Sequence, residues 1–260
     1  MITARTPARW EHFFWPALAM IGSLILWDAS VRWTGTKVFP SPLEVERGIA
    51  ELLHDHVLWA DIADSLRRVA IGFGVAALLG IPLGLFLGWH PAANQTLNPV
   101  LQILRPISPL AWIPVSIVLL GVGDYAAIFL IFLGALFPII VACIDGVATV
   151  PLVLRRAGRN FGLSDTQLLR RVVFPAALPK ILVGVRIAFG IAWLVVVAAE
   201  MVAVDSGLGY LVIDSRNSGK RYDLVVAAML IIGAIGLILD HLFRMFERVR
   251  SVRWGFRNEL

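Results

Sequence analysis

Residues 151–179 read PLVLRRAGRNFGLSDTQLLRRVVFPAALP, a basic, polar insert lodged between two apolar runs of membrane length. Pro151 suits a first helical turn, where its missing N–H would be unbonded anyway. Gly162 marks the stop of a short helix, because glycine takes the left-handed backbone conformation at little cost. Ser164 followed by Gln167 has capping-box spacing, so a second helix begins at once. Arg155, Arg156, Arg159, Arg170 and Arg171 decorate the pair, while Leu163, Leu168 and Leu169 offer an apolar face. The expected shape is two short amphipathic helices turned at a glycine, suited to transmitting a push. The plainer alternative is a solvated loop of orientation-setting arginines.

The rest of the chain agrees with a membrane setting. Of 260 residues 58% are hydrophobic and 16% charged, and the mean hydropathy of +0.81 is beyond what soluble domains reach. The net charge of +5 invites a nucleic-acid reading, but the arginines lie in segments flanking apolar runs rather than in one patch. Cys143 is the only cysteine, which excludes an intrachain disulfide and a cysteine-based metal site. The five histidines show neither HxxxH nor HExxH spacing. No catalytic residue, cofactor or metal is expected.

A helix crosses the hydrocarbon core with about 20 mostly apolar residues. Six stretches qualify, at 13–31, 69–89, 106–120, 126–147, 181–202 and 224–243. The fold class expected is therefore all-α: one polytopic membrane domain over 1–260, with the two-helix loop 151–179 outside the bilayer. The first stretch has features of a signal peptide, with Arg5 and Arg9 ahead and Ala17-Leu18-Ala19 like a cleavage site. Its apolar run continues to Trp27, however, so a retained helix is expected.

Orientation follows lysine and arginine near the span ends. Arg5 and Arg9 precede the first span, and six basic residues against Asp165 alone occupy 151–180. Arg244, Arg248, Arg250, Arg253 and Arg257 follow the last span. The stretch 34–66 is acidic, with Glu44, Glu46, Glu51, Asp55, Asp61 and Asp64; Arg67 and Arg68 run against it and are outweighed. Both termini and the basic loop are expected on the cytoplasmic side, which an even number of spans allows.

Arg156-Ala157-Gly158, three residues, Gly162, nine residues and Val172-Val173-Phe174-Pro175 resemble the EAA loop of bacterial ABC-importer permeases. That consensus is Glu-Ala-Ala, three residues, Gly, nine residues, Ile-x-Leu-Pro. Further motifs occur in the family's order: 104–114 (LRPISPLAWIP), 184–193 (GVRIAFGIAW), 198–201 (AAEM), 206–210 (SGLGY) and 236–240 (GLILD). Together they are similar to the nitrate/sulfonate/taurine branch of that family. The resemblance implies a non-catalytic permease subunit in the bacterial cytoplasmic membrane, two copies of which form the path. It implies an ATP-binding ABC subunit docked at Arg156, Ala157, Gly158, Gly162, Leu163, Ser164 and Pro175. It further implies an extracytoplasmic substrate-binding protein that delivers nitrate, taurine or an aliphatic sulfonate. One departure matters: Arg156 stands where the family carries glutamate, reversing a charge at the ATPase contact, although the glycine and the last proline are kept.

Arg105, Trp112, Ser116 and Glu200 are the candidates for lining the path. Arg105, beside Pro106, either meets an anion or anchors at headgroups. Trp112 and Ser116 share a helix face at i and i+4. Glu200 would repel an anion, so a structural hydrogen bond to a neighbouring helix is its preferred reading. Arg186 lies 14 residues before it, about 21 Å along a helix, too far to pair with it. Gly184, Ala188 and Ala192, four apart, suit a close helix contact. An ion-coupled transporter is the second reading, but it calls for inverted repeats and leaves the basic insert unexplained. A membrane-embedded enzyme comes third, for want of a clustered nucleophile, base or metal set.

Overall fold

The computed structural model describes residues 11–35, 38–54 and 56–247. Arg5, Arg9, Asp55, Arg248, Arg250, Arg253 and Arg257 lie outside the described residues. The elements within them are helical: α1 (Glu11–Thr34), α2 (Pro42–His54), α3 (His56–Trp89), α4 (Pro91–Leu104), α5 (Ile113–Leu120), α6 (Asp124–Ala148), α7 (Leu152–Asn160), α8 (Asp165–Leu168), α9 (Phe174–Ala203), α10 (Leu208–Asn217) and α11 (Tyr222–Glu247). A 3₁₀ turn covers Pro109–Trp112 and a π-helical turn covers Leu169–Val173.

Among the described residues, five helical stretches are long and apolar enough to cross a membrane. A sixth span results if α4 and the 109–120 arm, bent by 80° against each other, count as one. The bend falls on Arg105-Pro106-Ile107-Ser108-Pro109, where two prolines without N–H groups cannot continue the α-helical bonding. Ser108 accepts the Leu110 N–H on its hydroxyl and restarts the chain. The stretch expected at 106–120 is thus the second arm of a broken element that begins at Pro91.

The acidic stretch 34–66 is largely helical rather than looped. Ser41 and Glu44 form a reciprocal cap at the start of α2, with the Ser41 N–H on Glu44 Oε2 at 2.7 Å and the Glu44 N–H on Ser41 Oγ at 3.4 Å. The helix then buries Val45, Gly48 and Leu52. Arg221 clamps it to α11 through Glu51 at 2.6 Å and Asp223 at 2.8 Å. Hydrogen bonds that Arg221 donates to Asp223 and to Glu51 raise its pKa, so the clamp stays charged.

The core is a three-helix stack of α3, α6 and α9. Gly72, Ala76, Gly80, Gly84 and Gly88 recur every fourth residue along α3, which places them on one face. A methyl at Gly84 would stand 2.6 Å from Cys143 Cβ and 2.7 Å from the Ile140 carbonyl, so the two backbones are nearly in contact. On the other side of α6, a methyl at Gly184 of α9 would stand 2.0 Å from Ala142 Cβ. Ala188 and Ala192 continue that contact, both fully buried. Phe73, Phe189 and Phe243 join α3, α9 and α11, with ring centroids 4.4–6.1 Å apart. By contrast α1 has no buried residue from Phe14 to Thr34 and is tied near one end, where half-buried Trp27 donates through Nε1 to the Pro40 carbonyl at 3.2 Å.

Candidate functional site

Two clusters occupy opposite ends of the α3–α6–α9 stack, and a polar cleft lies beside it. The first is the basic loop. Pro151 is the N-cap of α7, one residue before the position expected. The helix closes with the Leu163 N–H on the Gly158 carbonyl at 3.2 Å and the Gly162 N–H on the Arg159 carbonyl at 2.9 Å. That is the paired bonding of a Schellman stop, with Gly162 at φ +75°. Both arms of the Ser164–Gln167 capping box are made, at 3.1 and 3.4 Å. Gly158 is buried against α8, where a methyl would lie 2.4 Å from Leu168 Cδ1. Ala157 and Leu163 are half-buried, whereas Arg156 and Pro175 are exposed.

The second loop helix is not separate from the following span, contrary to expectation. α8 is a single turn that runs through the π-helical turn into α9. Pro175 falls in the first turn of α9, where its missing N–H does least harm, and the wider π turn carries the chain past it. The loop therefore presents one free helix, α7, hinged by Gly162 onto a rod that extends to Ala203. Its apolar residues Val153 and Phe161 are 75% and 85% exposed, which leaves them uncovered within this chain.

The second cluster is a buried ionic network that sequence reasoning missed, except for Glu200. Asp61, Ser65 and Arg68 lie at i, i+4 and i+7 on α3, and all three are buried. Arg68 Nη1 donates to Glu200 Oε1 at 2.8 Å and to the Ser206 carbonyl at 2.9 Å. Its Nη2 reaches Ser206 Oγ at 2.6 Å and its Nε reaches Asp124 Oδ1 at 2.8 Å. Glu200 Oε2 accepts from Ser65 Oγ at 2.8 Å and from the Gly209 N–H at 2.9 Å. Asp61 accepts the Gly207 N–H at 2.8 Å, and Arg67 also pairs with Asp124. Four elements, α3, α6, α9 and the start of α10, are thereby locked together. Gly207 is required twice over: its φ is +102°, and a methyl there would lie 2.4 Å from Glu200 Oε1. Arg67 and Arg68 now have their reason, since they serve internal carboxylates and not orientation alone.

Arg105 caps the C-terminus of α4 and lines a cleft of about 360 Å³ with Asn94, Asn98, Gln102 and Asp145. A smaller adjoining cleft adds Lys180. Trp112 is half-buried in the 3₁₀ turn. Ser116 is fully buried, its hydroxyl donating to the Ile113 carbonyl at 2.8 Å. The structure thus brings Arg105 to an open polar surface, Ser116 into the packing and Glu200 into the network. Arg186 approaches Asp240 at 4.0 Å, and Asp240 also accepts from Arg244 Nε at 2.8 Å.

A stack of close-packed membrane-length helices with a glycine-hinged loop at one end and an ionic lock at the other defines a polytopic membrane subunit. Residues 80–251 match the binding-protein-dependent transport system inner membrane component family. The chain belongs to that family and is an ABC transporter permease subunit. It is 41% identical over 227 residues to a protein of Brucella abortus named as a probable ABC transporter permease, covering 86% of this chain and 89% of that one. It is 36% identical over 241 residues to the nitrate import permease protein NrtB of Synechocystis, covering 89% and 87%. It is likewise 36% identical over 256 residues to the bicarbonate transport system permease protein CmpB of Synechococcus elongatus, covering 94% and 89%. Among solved structures, the inward-facing MetNI methionine ABC transporter shares the fold, with a TM-score of 0.62 at 22% identity over 76% of this chain and 96% of that one. A bacterial alginate ABC transporter, crystallised with an alginate-bound periplasmic protein, gives 0.60 at 15% identity over 94% and 98%.

Proposed function

We propose that this chain is the membrane path of an ATP-driven importer for a small oxyanion. Nitrate and bicarbonate are the solutes named for two relatives that match most of its length, and taurine and aliphatic sulfonates share an oxyanion group with them. The observation that carries the reading is the hinged loop: α7 ends in a glycine stop and leaves Val153 and Phe161 uncovered. Exposed apolar groups of that size beside arginines call for a protein cover. The cover is an ATP-binding ABC subunit, contacting Arg156, Ala157, Gly158, Gly162, Leu163, Ser164 and Pro175. ATP hydrolysis belongs to that subunit, two copies of this chain enclose the path, and an extracytoplasmic binding protein supplies the solute. A tagged chain purified from its own cells should carry an ATP-binding ABC subunit identified by mass spectrometry. Its deletion should abolish uptake of one labelled oxyanion from this group. A chain that transports after reconstitution without any ATPase would overturn the reading.

In this arrangement the loop and both termini face the cytoplasm, as the arginine asymmetry requires. Single cysteines at Ser164 and at Asn217, in a Cys143→Ala background, should label oppositely with an impermeant thiol reagent in intact cells: Asn217→Cys readily, Ser164→Cys only after permeabilisation. Both positions are exposed, so access reports the side of the membrane. Labelling of Ser164→Cys from outside would reverse the topology.

Arg105 is the group in the path that meets the anion, with Trp112 at the wall; Ser116, buried in the packing, and Glu200, held in the network, support the path rather than line it. A unit charge in a wet cleft contributes about 1 kcal/mol at contact distance, or roughly fivefold. Arg105→Gln should lower uptake per assembled complex by at least that factor, while Arg105→Lys retains part of it because the charge persists. If Arg105 only anchors α4, the glutamine variant would lower the amount of complex and leave uptake per complex unchanged.

A further inference from the structure

We propose that a groove beside the basic loop holds the phosphate of an anionic phospholipid headgroup. The groove has a volume of about 440 Å³ and lies between Trp89 and His90, at the end of α3, and Arg155, Arg156 and Arg159 of α7. Three guanidiniums thus face it against one carboxylate, that of Asp165, which sits 3.8 Å from Arg159. Arg155 is held in place on two sides: it donates through Nη2 to the Val147 carbonyl at the end of α6, and it lies 5.8 Å from the centre of the Trp89 ring. Its Nε is buried and has no hydrogen-bond partner. Arg156 and Arg159 are exposed at the groove, and their forked guanidiniums are the donors that a phosphate there can accept from.

The level of the groove points to a lipid. α3 and α6, two of the packed spans, end at Trp89 and Ala148 beside it. An indole at a span end sits at headgroup depth. Leu152, 65% exposed, gives the groove an apolar edge along which an acyl chain can lie. Basic pockets at the cytoplasmic ends of membrane helices are where anionic headgroups bind, and this placement rests on the cytoplasmic assignment of the loop given above. The ATPase contact is not displaced. At 100° per residue, Val153 stands on the far side of α7 from Arg155, while Arg156, three residues from Val153, sits at the border of the groove and the protein-facing flank.

Native mass spectrometry of the full chain in detergent, with equal amounts of phosphatidylglycerol and phosphatidylcholine added, tests the site. The wild type should retain phosphatidylglycerol preferentially. Arg155→Gln and Arg159→Gln should each reduce that retention about fivefold. Arg170→Gln, a charge loss on the same loop outside the groove, should not. Arg159 is exposed and joined only to an exposed carboxylate, so its variant keeps the fold even if loss of Arg155 loosens α7. Equal retention by wild type and both groove variants, or no preference over phosphatidylcholine, would overturn the proposal. Displacement of the lipid by millimolar inorganic phosphate would assign the groove to a soluble anion and overturn the lipid as its source. The cysteine labelling at position 164 reports separately on the leaflet, so a failed topology and a failed site give different results.

Discussion

Replacing Gly162 with valine is expected to leave the protein in the membrane and to cut ATP-driven uptake by about tenfold or more. No atom lies within 4 Å of where a side chain at Gly162 would begin, so the space is open. The penalty is therefore one of backbone conformation. At φ +75° an L-residue is disfavoured by about 1–2 kcal/mol, enough to support a tenfold ratio, and a β-branched one by more. This origin fixes an order of substitutions. Asparagine, which tolerates the left-handed region, should be mildest, alanine intermediate and valine worst. A steric cause would instead rank asparagine below alanine. Membrane content, copurifying ATPase and uptake per complex, measured together for the three variants, separate loss of docking from loss of protein. Wild-type uptake in a well-expressed Gly162→Val protein would remove the mechanical role of the turn.

Glu200→Ala should cost about 3–5 kcal/mol of stability, because it strands a buried guanidinium with one of its two carboxylates gone. The Arg68 side chain is only 2% exposed and Glu200 is wholly enclosed, so water cannot replace the missing partner. The double variant Arg68→Met, Glu200→Leu should recover much of that loss, since an apolar pair of similar volume avoids the desolvation penalty. Thermal unfolding of the wild type, Arg68→Met, Glu200→Leu and their double variant in one detergent gives the coupling directly. A path-lining Glu200 predicts the reverse pattern. Uptake would then fall at unchanged stability, and removing Arg68 as well would rescue nothing.

The loop geometry was legible in the sequence because its signals are local. A glycine stop and a Ser-x-x-Gln cap lie within six residues of each other and need no distant partner. The apolar spans were legible for the same reason. The ionic network was not, because it joins residues far apart in sequence: Asp124 lies 56 residues from Arg68, and Glu200 lies 132 from it. Its trace is the row Asp61, Ser65, Arg68 at helical spacing, which average hydropathy reads as a polar loop. α3 therefore starts well before the apolar stretch at 69, since internal partners satisfy the charges that would otherwise keep it in water. The bend between α4 and the 109–120 arm shows the same limit: prolines announce a break, but its angle depends on what packs around it. The fusion of α8 to α9 was hidden because Pro175 reads as a stop unless the turn before it widens.

That fusion makes residues 165–203 one element of 39 residues, about 58 Å long at 1.5 Å per residue. Its midpoint is Gly184, where it lies hardest against Ala142. A body pressed hardest at its middle has a natural pivot there. A rotation of 10° about that point would sweep Glu200, 16 residues away, through an arc of about 4 Å. Hydrogen bonds of 2.8–2.9 Å do not stretch that far. The far clasp is therefore compatible with one angle of the rod and excludes its neighbours, so the orientations open to the loop are discrete rather than continuous.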